Sequence, residues 1–124
     1  MWIKCNPNPL GRQTGDCVVR AISIALNQSW RETYRELCKM GEIHADMPSS
    51  NLVWGLYLKD KGARQFLLPG SCPDCVTVQA FCERYPEGVY VIGTGTHAVA
   101  VISGDWYDAW DSGAEVPTYF WQVE

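Results

Sequence analysis

The stretch H97-AVAVISGDWYDAWDSG-113 decides the architecture, because an apolar β-branched run meets a run of aromatics across the short polar segment Ser-Gly-Asp. Val, Ile, Tyr and Trp favour a pleated, half-buried surface, and Gly with Ser or Asp between two such runs marks a hairpin. The same composition recurs on either side, in GVYVIGTG (88–95) and PTYFWQVE (117–124), so the C-terminal third predicts consecutive antiparallel strands. A three-residue loop at Ser103–Asp105 sets Ile102 opposite Trp106 and therefore His97 opposite Asp111. Directly opposed residues project from one face with Cβ atoms about 5 Å apart, so a carboxylate would stand beside the imidazole. A two-residue loop is the alternative and takes Asp111 off His97; Asp108, expected several residues from His97 in both registers, is the second choice as its partner.

Upstream the period changes. Residues 1–14 carry two prolines, two asparagines and a glycine and read as turns and extended chain. From Cys17, the apolar positions Val18, Ala21, Ile22, Ala25 and Leu26 recur at helical spacing, with Asp16 placed as N-cap. Ser29 and Glu32 form a capping box for a second helix carrying Tyr34, Leu37 and Cys38, with Gly41 as its stop. A third helix is expected over Ser49–Lys61, after Pro48 and before Gly62, and ARQFLLP (63–69) reads as a short strand. Thr77 would cap a short helix through Phe81 and Cys82, ended by YPEG (85–88). Helices precede strands, which predicts an α+β fold with N-terminal helices packed on a C-terminal antiparallel sheet. With 124 residues, 47% of them hydrophobic, residues 1–124 form one domain.

The formal net charge is −4 and the ten Lys and Arg residues are scattered, so the electrostatic footprint of a nucleic-acid binder is missing. No targeting segment and no run near the ~18 apolar residues of a membrane span is present, so no membrane role and a cytoplasmic location are expected. In that setting the six cysteines read as thiols, metal ligands or a nucleophile rather than as a disulfide framework. Cys72 and Cys75, in Cys-Pro-Asp-Cys, have the spacing of a zinc knuckle, with Cys82 as a further ligand and Cys5, Cys38 or His44 as others. A redox pair and thiols packed under the sheet are the other readings. Trp106 and Trp110 share strand parity, and GTGTH (93–97) gives His97 a flexible approach.

Cys17 carries the chemical interest. It opens an apolar helix, where unpaired N–H groups and the helix dipole favour a thiolate and could also hold an oxyanion, with the Gln13 amide as a further donor. A thiol nucleophile needs a base, and the chain offers only His44, in a polar loop, and His97. A carboxylate on one imidazole nitrogen fixes the tautomer and supports the imidazolium that holds the thiolate. The resulting set is Cys17, His97 and Asp111, with Gln13.

The order Cys at the first core helix, His at a strand start and Asp on the next strand resembles the papain-like cysteine peptidases. GDCVVRAIS (15–23) is similar to the Asp-Gly-Asn-Cys-x-x-Arg-Ala motif of ovarian tumour-type deubiquitinases. HAVAVI (97–102) followed by an aromatic strand with Asp resembles bacteriocin-leader peptidases, and the whole chain resembles small proteins encoded by bacteria and their phages. The resemblance implies a papain-like fold and a cysteine hydrolase, peptidase or isopeptidase-like, working through an acyl-thioester on a protein or peptide substrate. A leader or ubiquitin-like tail ending in Gly-Gly, or a non-peptide acyl group, is the implied substrate. It requires no cofactor; a structural zinc on Cys72 and Cys75 is the one metal reading. An acyltransferase with the same residues, or a non-catalytic module that sequesters a partner protein, are the alternatives.

Overall fold

A computed structural model describes residues 1–124, and its elements run in the order β1 (Trp2–Lys4), α1 (Cys17–Leu26), α2 (Trp30–His44), α3 (Asn51–Asp60), β2 (Arg64–Leu67), α4 (Val78–Arg84), β3 (Val89–Gly93), β4 (Ala98–Ile102), β5 (Asp105–Asp108) and β6 (Tyr119–Gln122). The fold is mixed α+β: four helices and one six-stranded sheet of order β1-β5-β4-β3-β6-β2. The sheet is not wholly C-terminal or antiparallel, as the sequence suggested. β1 joins one edge parallel to β5, and β2 joins the other edge antiparallel to β6. Both cover strands whose ladder groups would otherwise be left open at an edge.

The central strands are apolar along their whole length because both faces of the sheet are covered. Val91, Ala98, Ala100 and Trp121 belong to one cluster with Val18, Ile22, Leu37, Trp54 and Leu58 from α1, α2 and α3. Their strand neighbours Tyr90, Ile92, Val99, Val101 and Phe120 point the other way and pack with Val78, Phe81 and Cys82 of α4. Phe81 is the hub of that second layer, with ring contacts to Tyr85, Tyr90 and Phe120.

The helix starts follow their caps. The Ser29 side chain accepts from Glu32 N at 3.1 Å, Ser50 from Val53 N at 3.2 Å and Thr77 from Ala80 N at 3.1 Å. Gly41 does not stop α2, which runs one further turn to His44 and ends at Ala45 in the left-handed conformation. Its role is spatial: a Cβ on Gly41 would lie 2.6 Å from the backbone oxygen of Asp46, where the chain folds back against the helix.

The hairpin between β4 and β5 also differs from expectation, with consequences for the site. Ile102 pairs with Asp105, Val101 with Trp106 and Ala100 with Tyr107. The loop is therefore the two residues Ser103 and Gly104, both at positive φ (51° and 79°), the pattern of a type I′ turn whose twist matches the strands it joins. Asp105 is drawn into the strand, and every later residue moves one place from the expected register. Asp111 falls beyond the end of β5.

Gly41→Ala is expected to cost about 1–3 kcal/mol, since backbone rather than a flexible side chain occupies the space. Urea unfolding checks this; a variant as stable as the parent would show that the Asp46 segment yields freely.

Candidate active site

Asp108 is the last residue of β5 and only 3% exposed. β1 holds its backbone: the Asp108 carbonyl accepts from Cys5 N at 2.9 Å and from Trp2 Nε1 at 3.2 Å. Its carboxylate is occupied on both oxygens. Oδ1 accepts from Ala109 N at 2.8 Å and from the Arg20 guanidinium at 3.3 Å; Oδ2 accepts from Ser112 Oγ at 2.8 Å and lies 2.7 Å from His97 Nε2. Burial alone would raise this carboxyl's pKa, but the His97 and Ser112 hydrogen bonds, the His97 charge and the Ala109 N–H outweigh it and hold the pKa below the ordinary value.

Asp108, not Asp111, is therefore the carboxylate on His97. Asp111 instead accepts from Trp106 Nε1 and Gly113 N, both at 3.0 Å, and closes the turn after β5. The hairpin register explains the exchange. Extended one pair beyond Ala100 and Tyr107, it sets Asp108 opposite Val99, a diagonal step from His97, and diagonal cross-strand neighbours are within reach of long side chains.

His97 immediately precedes β4. The approach to it is a tight turn and not a flexible one: Thr94 N donates to the His97 carbonyl at 2.9 Å, and His97 N donates to Thr94 Oγ1 at 3.0 Å. Trp110 stacks on the imidazole, with ring centroids 4.7 Å apart and planes 26° from parallel. Trp106, expected on the same face, packs on the α4 side of the sheet. Since Nε2 is engaged by Asp108, Nδ1 is the ring nitrogen left for Cys17, whose thiol lies close enough to His97 for each to shift the other's pKa. Burial pulls the His97 pKa down, but the hydrogen bonds to Asp108 and Cys17 and the negative charges on both push it up to about 9.

Cys17 is the first residue of α1. The helix has no side-chain cap: Asp16 turns its carboxylate onto Arg20, one turn along, and accepts Trp30 Nε1 at 2.8 Å and Asn8 Nδ2 at 3.2 Å. The first backbone bond of the helix is Arg20 N to Asp16 O, so the amides of Cys17, Val18 and Val19 precede the ladder and their partial positive charge is directed at the thiol end. Burial opposes ionisation of Cys17. The His97 hydrogen bond, the Ala98 N–H and the charges of His97 and Arg20 overcome it, and the thiol pKa falls below its ordinary value. A thiolate–imidazolium pair is the state these shifts favour.

The pair borders a cleft of about 170 Å³, walled by Gly15, Ser49, Asn51, Trp54, Gly95 and Thr96. Gln13 is not among its walls. It is exposed and lines a separate depression with Thr14, Arg20, Ala109 and Trp110. His44 is exposed at the far end of α2.

Cys72 and Cys75 are joined to each other by a disulfide on the exposed loop after β2, so they are neither packed thiols nor a zinc knuckle. Cys82, the expected third ligand, is buried under the sheet beside Phe81, and no cluster of three His, Cys, Asp or Glu side chains suited to a metal ion exists. No helix is long and apolar enough to cross a membrane.

Sequence reasoning missed the link between these parts, the buried Arg20, which bonds Asp16 on one side and Asp108 on the other. The available signal was an Asp and an Arg at i and i+4 with the Arg inside an apolar helical run. Compared with family models, curated proteins and solved structures, the chain matches none.

Alkylation rates test the site's electrostatics. Burial pushes the Cys5 thiol up and the Cys82 thiol up to about 11, opposite in direction to Cys17. Limiting iodoacetamide at pH 6 is expected to label Cys17 at least ~10-fold faster than either, and His97→Ala to remove that advantage. Equal labelling, or a rate indifferent to His97→Ala, would contradict the ion pair.

Proposed function

We propose that this chain is a cysteine hydrolase on a papain-like scaffold, cleaving an amide or acyl bond of a protein or peptide substrate with Cys17, His97 and Asp108. The observation that carries the reading is the continuous chain from Asp108 through His97 to Cys17, with the thiol at a helix N-terminus and at the wall of a cleft. A structural thiol has no need of an oriented imidazole. Each group here has a role in acyl transfer.

The Cys17 thiolate attacks the substrate carbonyl carbon, and the carbonyl oxygen takes up the negative charge. Backbone N–H groups at the start of α1 are the donors best placed for that oxyanion. As the intermediate collapses, the carbon–nitrogen bond breaks and the leaving amine takes a proton from the His97 imidazolium. Neutral His97 then accepts a proton from water as it attacks the thioester, releasing the acid and restoring Cys17. Asp108 keeps Nε2 as the protonated nitrogen and stabilises the imidazolium throughout. The small cleft favours a slender substrate segment over a broad range of side chains.

An activated ester such as p-nitrophenyl acetate is expected to give a burst and a transient acyl adduct on Cys17, read by intact-mass and peptide mass spectrometry. His97→Ala should slow acylation by about 10²-fold or more. For an amide substrate the rate should rise with pH through the lowered thiol pKa and fall again above about 9, as His97 loses the proton it must donate. No adduct, or an adduct on another cysteine, would sink the hydrolase and leave the partner-binding module.

A further inference from the structure

Cys72 and Cys75 take no part in the chemistry assigned to the cleft. They form the chain's one disulfide, in the loop between β2 and α4, where residues 69–74 are all exposed and Cys75 is half-buried. As a staple this bond has little to hold. The loop is already fixed on either side of it: Leu68 N donates to the Thr118 carbonyl at 2.8 Å, Val78 N donates to the Glu115 carbonyl at 2.9 Å, and Val76 and Val78 are buried. A backbone bond from Asp74 N to the Ser71 carbonyl, at 3.1 Å, closes a turn over the same residues. The unfolded-chain entropy that a disulfide removes grows with the loop it closes, and this one joins residues only three apart in sequence. Cys5, Cys17, Cys38 and Cys82 are free, so pairing is confined to the two cysteines that a turn already holds together.

Exposure and proximity suit the pair to reversible chemistry instead. Exchange requires access of a thiolate to a disulfide sulfur, which the open loop allows, and two thiols kept in one turn have a high effective concentration for closing again. We propose that Cys72 and Cys75 are a redox site, a dithiol–disulfide couple that exchanges with low-molecular-weight thiols of the glutathione type. A thiolate attacks the sulfur of Cys72, the more exposed of the two; the Cys72–Cys75 bond breaks and its electron pair leaves with Cys75. A second thiolate attacks the small-molecule sulfur of the mixed disulfide, releasing Cys72 as thiolate and forming the small-molecule disulfide. Two thiols are oxidised, the protein disulfide gains two electrons, and the two protons the attacking thiols lost end on Cys72 and Cys75. Reoxidation by the small-molecule disulfide runs the same steps in reverse. The site does not involve Cys17 and stands whether or not the chain is a hydrolase.

The test equilibrates the folded full chain at pH 7 in glutathione buffers of graded reduced-to-oxidised ratio. Acid quenching, unfolding and alkylation then count thiols by intact mass, and the tryptic peptide 65–84 assigns them. The closed form carries four alkyl groups and the open form six. A glutathione adduct on Cys17 has its own mass and is counted apart. Half of the chains are expected to be open at a ratio inside the series and to close again on transfer to oxidised glutathione, with the near-ultraviolet spectrum native throughout. Structural disulfides resist reduction by glutathione, so a bond that stays closed across the whole series would overturn the proposal, as would thiols that stay open across it. The double variant Cys72→Ser, Cys75→Ser is expected to melt no more than ~7 °C below the parent, in keeping with the short loop. Reduction that occurs only with unfolding, or a fall of twice that size in the variant, would make the bond a staple and overturn the proposal too.

Discussion

The Asp108 carboxylate, closed in between Arg20 and His97, is the interaction on which this molecule turns. A buried anion is tolerable only when every oxygen is matched, and four donors converge on this one. Arg20 carries α1 onto the end of β5, and through Asp16 it reaches Trp30 of α2 and Asn8 of the N-terminal loop. Removing one member of such a buried ionic set strands the others, typically at a cost of ~3–5 kcal/mol. The same carboxylate sets the tautomer and charge of His97. One carboxylate therefore serves both, binding Arg20 of α1 through one oxygen and the His97 ring through the other.

The sheet explains why the site lies where it does. β3 and β4 are buried on both faces, so their ends are the first places where backbone and polar side chains emerge from the core. At one end of the sheet the starts of β4 and β6 meet the ends of β3 and β5, bringing together His97, Tyr119, Gly93 and Asp108. α1 lies across that face with its first residue at the same end. β1, only three residues long, fixes the Asp108 backbone there.

Much of this was legible in the sequence, and the losses are specific. Cys17 at a helix start, His97 at a strand start, the Ser29 and Thr77 caps and the four C-terminal strands all follow from local chemistry, which short-range rules describe. The partner of His97 did not, because it depended on a turn: Ser103 and Gly104 both take positive φ, and a loop one residue shorter than expected moved Asp108 into place. Asp16 offered a standard N-cap, but a long-range competitor, Arg20 bound to Asp108, claimed its side chain. Gly41 looked like a helix stop because glycine often is one; only the returning Asp46 segment shows that it is a gap for backbone. The Cys72 to Cys75 spacing was compatible with a metal or a bond, and nothing local distinguished the two.

Asp108 and Cys17 together raise the His97 pKa to about 9, which makes the ring an imidazolium near neutral pH. Titrating the His97 ring by nitrogen-15 NMR measures that state directly, with the tautomer read from the same spectra. The expected result is a midpoint near 9, an Nε2 proton bound toward Asp108, and a fall toward the ordinary ~6.5 when Cys17→Ala and then Asp108→Asn are introduced. A parent His97 that titrates near ~6.5 and ignores both substitutions would contradict it.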